Sequence, residues 1–197
     1  MRIIAGTYRG TALSDVGKGD EAAHLRPTSD RVRESLFNML EGGRFGQPIR
    51  NTRVLDLFAG TGALGLEALS RGASRVCFVE NGKPAFRILS KNIAKLKAAE
   101  VTTVLSKDAT ELGPNPYDSF NLIFLDPPYS KRLGNAALRD ARAKNWISEG
   151  ALVVWEEAAA QVAPRGYTAH DFRKFGNTTV TLLEARGHCQ RPPPDRR

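Results

Sequence analysis

The chain has 197 residues, 41% hydrophobic and 25% charged, with 29 Lys+Arg against 21 Asp+Glu and a formal net charge of +8. That length suits one domain with a sizeable core and a small appendage, and no apolar run reaches the about 18 residues that a membrane span needs. The opening MRIIAGTYRG lacks the apolar core of a secretion signal, so a cytoplasmic protein is expected, and the basic balance favours phosphate backbones as partners.

RIIAGTYRGTAL at 2–13 reads as two short strands around a glycine turn, and SDVGKGDEAAHL after it as a polar loop. In RPTSDRVRESLFNML, Thr28 or Ser29 can cap a helix with Val32, Leu36, Met39 and Leu40 on one face, ended by Gly42 and Gly43. On that helix Arg31, Arg33 and Glu34 read as a solvated face. Residues 1–50 are thus expected to be an N-terminal hairpin and helix extension leaning on a larger domain at 51–187.

From Arg53 onward strands and helices alternate. RVLDLF, RVCFVE, VTTVLSKD, FNLIFLD and ALVVWEE are the predicted strands in order. ALGLEALSRG, KPAFRILSKNIAKLK and AALRDARAKNW are the helices; the second has Pro84 in its first turn and Phe86, Leu89, Ile93 and Leu96 inward. YTAHDFRKF and TTVTLLEA, joined by GN, form a closing antiparallel pair. Continuous apolar strands between helices predict an α/β fold, a doubly wound, mostly parallel seven-stranded Rossmann-like sheet covered on both faces. The tail at 188–197 is Pro- and Arg-rich and is expected to be disordered. Cys77 and Cys189, with three histidines, show no metal-ligand spacing, which predicts reduced thiols and no metal.

FAGTGALG at 58–65 follows the first strand and matches the dinucleotide fingerprint. Gly60 and Gly62 there would let backbone N–H groups approach a ligand. Glu80, 20 residues after Gly60 at the end of the second strand, could accept both hydroxyls of a ribose. NAD and S-adenosylmethionine both carry that ribose, so these residues do not separate the two. Asp56 opens an Asp–x–x–x–Gly–x–Gly run that resembles the first motif of class I methyltransferases. That likeness implies an acid near the methionine ammonium of S-adenosylmethionine; capping of the loop's own N–H groups is the other reading. Phe58 and Thr61 belong to the same candidate cofactor loop. Asp108, ending the third strand, could accept from an adenine amine or cap a turn.

FLDPPYS at 124–130 points to the chemistry. The lone pair of a nucleobase exocyclic amine is delocalised into the ring, so methyl transfer needs the two N–H bonds held and the nitrogen aimed. Asp126 and the Pro127 carbonyl are both acceptors, suited to hold the amine and to stabilise its developing positive charge. Pro127 and Pro128 stiffen the turn and leave it without N–H donors. Tyr129 offers a ring on which an exposed base can stack, a contact of about 1–3 kcal/mol. Cytosine C5 chemistry would instead need an activated cysteine, and neither cysteine lies in a predicted active-site loop.

With these motifs in order, the chain resembles the bacterial small-subunit ribosomal RNA guanine-N2 methyltransferases. RIIAGTYRG, RPTSDRVRESLFNML, VLDLFAGTGALGLEALSRGA, VE and LDPPY carry the likeness over nearly the whole chain. The resemblance implies S-adenosylmethionine as cofactor, closure of the Thr28 and Arg31 region over its methionine end, and N2-methylguanine in ribosomal RNA as product. Its alternative is N6-adenine methylation of DNA or RNA by the same site. Arg2, Tyr8 and Arg9 on the N-terminal strands, and Lys131 and Arg132 after Tyr129, are candidate contacts to nucleic acid. The stripe Lys83, Arg87, Lys91 and Lys95 reads as a wet helix face. The expected enzyme is a monomer acting on ribosomal RNA or an assembling subunit, without metal or membrane.

Overall fold

A computed structural model describes residues 1–15, 30–128 and 133–187. Thr28, Tyr129, Lys131, Arg132, Cys189 and the tail therefore lie outside the described residues. The chain order is α1 (Asp30–Glu41), β1 (Arg53–Leu57), α2 (Ala63–Ser70), β2 (Arg75–Val79), α3 (Lys83–Lys95), β3 (Thr102–Leu105) and β4 (Phe120–Leu125). It continues with α4 (Leu133–Ala143), β5 (Ile147–Glu157), β6 (Tyr167–Phe175) and β7 (Thr178–Ala185). The predicted elements are all there except the N-terminal strand pair.

Seven strands form one sheet in the order β3-β2-β1-β4-β5-β7-β6. The first five are parallel; β7 runs antiparallel between β5 and β6. Strands β1 and β2 are buried along nearly their whole length because helices cover both faces. On one face Leu36, Phe37 and Leu40 of α1, Leu66 and Leu69 of α2 and Leu89 of α3 pack with Val54, Phe78 and Phe124. On the other, Ala137, Leu138 and Ala141 of α4 pack with Leu55, Leu57, Ile123 and Trp155. Gly134 lets α4 approach closely, since a Cβ there would stand 2.3 Å from the Trp155 ring.

The N-terminal segment makes a hairpin held by Ile3 N–H to Thr11 O (3.0 Å) and Gly10 N–H to Ile3 O (2.9 Å). It contains one antiparallel bridge, Arg2 to Ala12, and no extended strand pair. The reason is that its donors turn toward the domain. Ile4 and Ala5 N–H donate to Glu67 of α2 at 2.8 and 3.1 Å, and Tyr8 N–H donates to Ser70 Oγ at 2.9 Å. Ile3 and Leu13 join the same core cluster as α1 and the sheet.

Helix α1 turns a different face inward from the one its spacing suggests. Arg33, Leu36, Phe37 and Leu40 are buried, whereas Val32 and Met39 are half-buried. Arg33 was expected in solvent, yet its side chain is 0% exposed. Its guanidinium donates to the Arg2 carbonyl and to Asp30 (2.9 Å) and lies 3.8 Å from the buried Glu67 carboxylate. A neighbour of opposite charge offsets the desolvation, and that neighbour is 34 residues away in sequence. In α3, Leu89, Ile93 and Leu96 are inward as predicted and Phe86 only half so.

Candidate active site

The parallel strands end on one side of the sheet, where their loops gather the candidate residues. Backbone hydrogen bonds tie those ends together. Ala59 N–H donates to Val79 O at 3.0 Å, Glu80 N–H to Leu105 O at 3.1 Å, and Asp126 N–H reaches Leu57 O at 3.5 Å. The glycine turn after β1 and the Asp-Pro-Pro turn after β4 are therefore direct neighbours.

The glycine loop is wound tightly. Phe58 (φ 60°), Gly60 (φ 56°) and Gly62 (φ 80°) all take left-handed backbone, a conformation that costs a non-glycine residue about 1–2 kcal/mol. At Gly62 an added Cβ would lie 2.4 Å from Leu89 of α3, so only glycine lets α2 begin there. Gly65 is equally constrained: its Cβ would meet Phe78 at 2.4 Å. Thr61 is nearly buried, and its carbonyl accepts from the Asn92 side chain at 3.0 Å.

Two of the acids brace this loop. Glu80 accepts from Gly60 N–H (2.7 Å) through one oxygen and from Gly82 N–H (2.6 Å) through the other. Burial pushes its carboxyl above the ordinary value, against the pull of those N–H groups. Asp56, 2% exposed, accepts from Gly65 N–H at 2.9 Å. Burial pushes its carboxyl up to about 8, with Glu80 adding to the rise and the Gly65 N–H opposing it. Asp56 thus caps the loop, as one of its two readings expected, and it stands among further acids at the strand ends.

Asp126 follows β4 directly, with Pro127 buried and Pro128 half-buried behind it. Its carboxyl is held well above the usual range, first by burial, then by the charges of Glu156, Asp56 and Glu157. Glu156 and Glu157, at the end of β5, are 4% and 9% exposed. Neither was singled out from sequence, although an acid pair closing the apolar run ALVVW was the available signal. Asn92 was missed as well: it is a polar residue on the inward face of α3, between Leu89 and Ile93.

The other described candidates have their own surroundings. Arg31 lines a groove with Val32, Ser35 and the Phe175–Gly176 end of the β6–β7 hairpin. Asp108 Oδ1 accepts from Thr110 N–H (2.8 Å) and its hydroxyl (2.6 Å), closing its own turn. Arg2 is 68% exposed with Asp30 at 3.7 Å, Arg9 is exposed, and Tyr8 packs partly against the core. Lys83, Arg87 and Lys91 are exposed, and Lys95 Nζ donates to Ala12 O at 2.5 Å, so one member of the stripe anchors the hairpin. The Cys77 thiol is buried and pushed up to about 12 by that burial, unsuited to act as a nucleophile.

The donor set suits a nucleoside carrying positive charge. Burial raises the proton affinity of the acids at the ends of β1, β2 and β4, and a sulfonium or an ammonium beside them favours their ionised form whereas the pyrophosphate of NAD does not.

The chain is similar to known proteins over most of its length. The family described as Conserved hypothetical protein 95 matches residues 1–184. The chain is 38% identical over 190 residues to ribosomal RNA small subunit methyltransferase D of Haemophilus influenzae, covering 93% of each chain. It is 34% identical over 187 residues to the protein of that name in Escherichia coli K12, covering 93% of this chain and 89% of the other. Among solved structures, an Escherichia coli chain described as a candidate methyltransferase, yhhF, superposes with a TM-score of 0.77 at 33% identity. That superposition covers 94% of this chain and 98% of the other.

Proposed function

The chain belongs to the Conserved hypothetical protein 95 family, and from that membership and the strand-end site we propose an S-adenosylmethionine-dependent RNA methyltransferase. It methylates the exocyclic N2 of a guanine in small-subunit ribosomal RNA, the substrate class in the names of its relatives. The observation that carries the reading is the junction of the two turns: the Asp126 backbone reaches Leu57 O, beside the loop that Glu80 and Asp56 brace.

Each residue then has a task. Gly60, Thr61 and Gly62 provide the backbone against which the cofactor lies, with Phe58 beside them. Glu80 keeps a lone pair for the ribose hydroxyls, since a carboxylate offers about four acceptor positions and the N–H groups of Gly60, Asn81 and Gly82 draw on the rest. Asp56 faces the methionine ammonium and Asp108 the adenine amine. Arg31 and Thr28 close over the methionine end. When bound, S-adenosylmethionine supplies an electrophilic methyl on a positively charged sulfur. Asp126 and the Pro127 carbonyl hold the guanine amine in line with it, Pro128 stiffens the turn, and Tyr129 stacks on the base. Arg2, Tyr8, Arg9, Lys131 and Arg132 grip flanking RNA. Residues 1–50 serve as an RNA-facing and cofactor-closing extension of the 51–187 domain, and the enzyme works in the cytoplasm as a monomer.

The test is mass spectrometry of modified nucleosides in small-subunit ribosomal RNA with and without the protein, beside methyl-transfer assays on ribosomal particles, naked RNA and DNA. N2-methylguanine appearing only with the protein is the expected result. Methylation confined to adenine would overturn the guanine assignment, and NAD binding without S-adenosylmethionine binding would overturn the whole reading.

A further inference from the structure

Resting on the reading of Asp126 as the residue that holds the amine, we propose that Glu156 is a positioning residue of the reaction. It acts through Asp126 and makes that carboxylate the acceptor of the proton the amine gives up.

The sheet register places the two acids together. Phe124 pairs with Val154 and Leu125 with Trp155 in parallel strands, which carries positions 126 and 156 next to each other at the strand ends. Alternation along each strand puts Asp126 and Glu156 on the face that Phe124 and Val154 share with α1 and α2. Asp56, which pairs with Phe124 from β1, lies on that face too. Glu157 falls on the α4 face with Trp155. A 4% exposed carboxylate has little water to screen it. Among the described residues, the acids that act on Asp126 are Glu156 and Glu157 of β5 and Asp56 of β1, with Glu156 foremost.

The reaction leaves a proton for Asp126 to take. As the nitrogen–carbon bond forms, the sulfur–carbon bond breaks and its electron pair stays on sulfur. The nitrogen then carries the positive charge and must lose one N–H proton to become a neutral secondary amine. Asp126, which holds the amine, is the acceptor at hand for that proton. Like charge packed beside it raises its proton affinity, so an ionised Asp126 next to Glu156 takes the proton readily. The proton ends on an Asp126 oxygen, stabilised by the adjoining carboxylate, and leaves to water with the product.

The experiment compares wild type with Asp126→Ala, Glu156→Gln and Glu156→Asp. In the cofactor-free protein, carbon-13 carboxyl resonances give the titration midpoint of Asp126. Glu156→Gln removes the like charge and should move that midpoint to lower pH by a unit or more, and Glu156→Asp should largely restore it. In turnover, the acid limb of the kcat profile should move the same way in Glu156→Gln, kcat should fall at least tenfold at its optimum, and S-adenosylmethionine affinity should stay within threefold. An unmoved Asp126 midpoint, or a loss of kcat with no shift of the limb, overturns the role of Glu156. Full turnover by Asp126→Ala instead overturns the reading of Asp126 beneath it, so the two failures are told apart.

Discussion

The buried side chain of Asn92 donates to the Thr61 carbonyl at 3.0 Å, and by the same amide it holds Ser14. Its Oδ1 accepts from Ser14 N–H at 2.7 Å, and Nδ2 also donates to Ser14 O at 3.1 Å. One side chain of α3 therefore joins the end of the N-terminal hairpin to the middle of the glycine loop. Asn92→Ala leaves three backbone groups without these partners, at about 1–3 kcal/mol for each that stays buried. Lower unfolding free energy in urea and weaker S-adenosylmethionine binding by calorimetry are expected together. Unchanged cofactor affinity would mean that the Thr61 bond has no part in shaping the loop.

Glu80→Ala removes the acceptor of both Gly60 and Gly82 along with the proposed ribose contact. Cofactor affinity should fall by about 1.5–3 kcal/mol, roughly ten- to 150-fold. Calorimetry with S-adenosylmethionine and with S-adenosylhomocysteine should give the same loss, because both carry the ribose. A loss seen only with the charged cofactor would assign Glu80 to the sulfonium.

Asp56 predicts a pH dependence of stability. Its folded pKa of about 8 stands above the value of 3.8 for a free carboxyl, so the native chain keeps a proton that the unfolded chain gives up. The resulting stabilisation is complete below about pH 4 and declines as pH rises through 8. Thermal melts from pH 5 to 9 should show that decline in wild type and a flatter curve in Asp56→Asn. Binding of a cationic cofactor favours the ionised form, so calorimetry near neutral pH should detect proton release that depends on the buffer's ionisation enthalpy. Equal slopes for variant and wild type would contradict the assignment.

Glu67 holds the extension in place. Fully buried in α2, it accepts from Ile4 and Ala5 and from Arg71 Nε (2.8 Å), with Arg33 at 3.8 Å. Glu67→Ala takes one acid partner from each of two buried guanidinium groups, which keep Asp30 and Glu41, and should cost about 1.5–3 kcal/mol. Hydrogen exchange should rise most in residues 1–15, ahead of the central strands. Uniform protection in the variant would show that the hairpin is held by its apolar contacts with the core instead.

Much of this protein is legible in local spacing. The strand–helix alternation, the glycine loop, the acid at the end of β2 and the Asp-Pro-Pro turn are each written within a few consecutive residues, where backbone geometry and hydrophobic period act directly. The order β3-β2-β1-β4-β5-β7-β6, with the final pair antiparallel, agrees with that reading. The hairpin departed from it because donors that would pair two strands are captured by Glu67, a partner more than 60 residues away.

The tertiary structure alone decided which polar groups meet. Nothing near Arg33 in sequence announces that it will be buried, and nothing in WEE says that Glu156 will stand beside an aspartate 30 residues earlier. Such pairs arise from register between strands and from packing of one helix on another. Their energies depend on the desolvation and Coulomb terms that the fold itself creates. The sequence by itself determined the elements and the class of chemistry; the packed sheet decided the charge environment in which that chemistry runs.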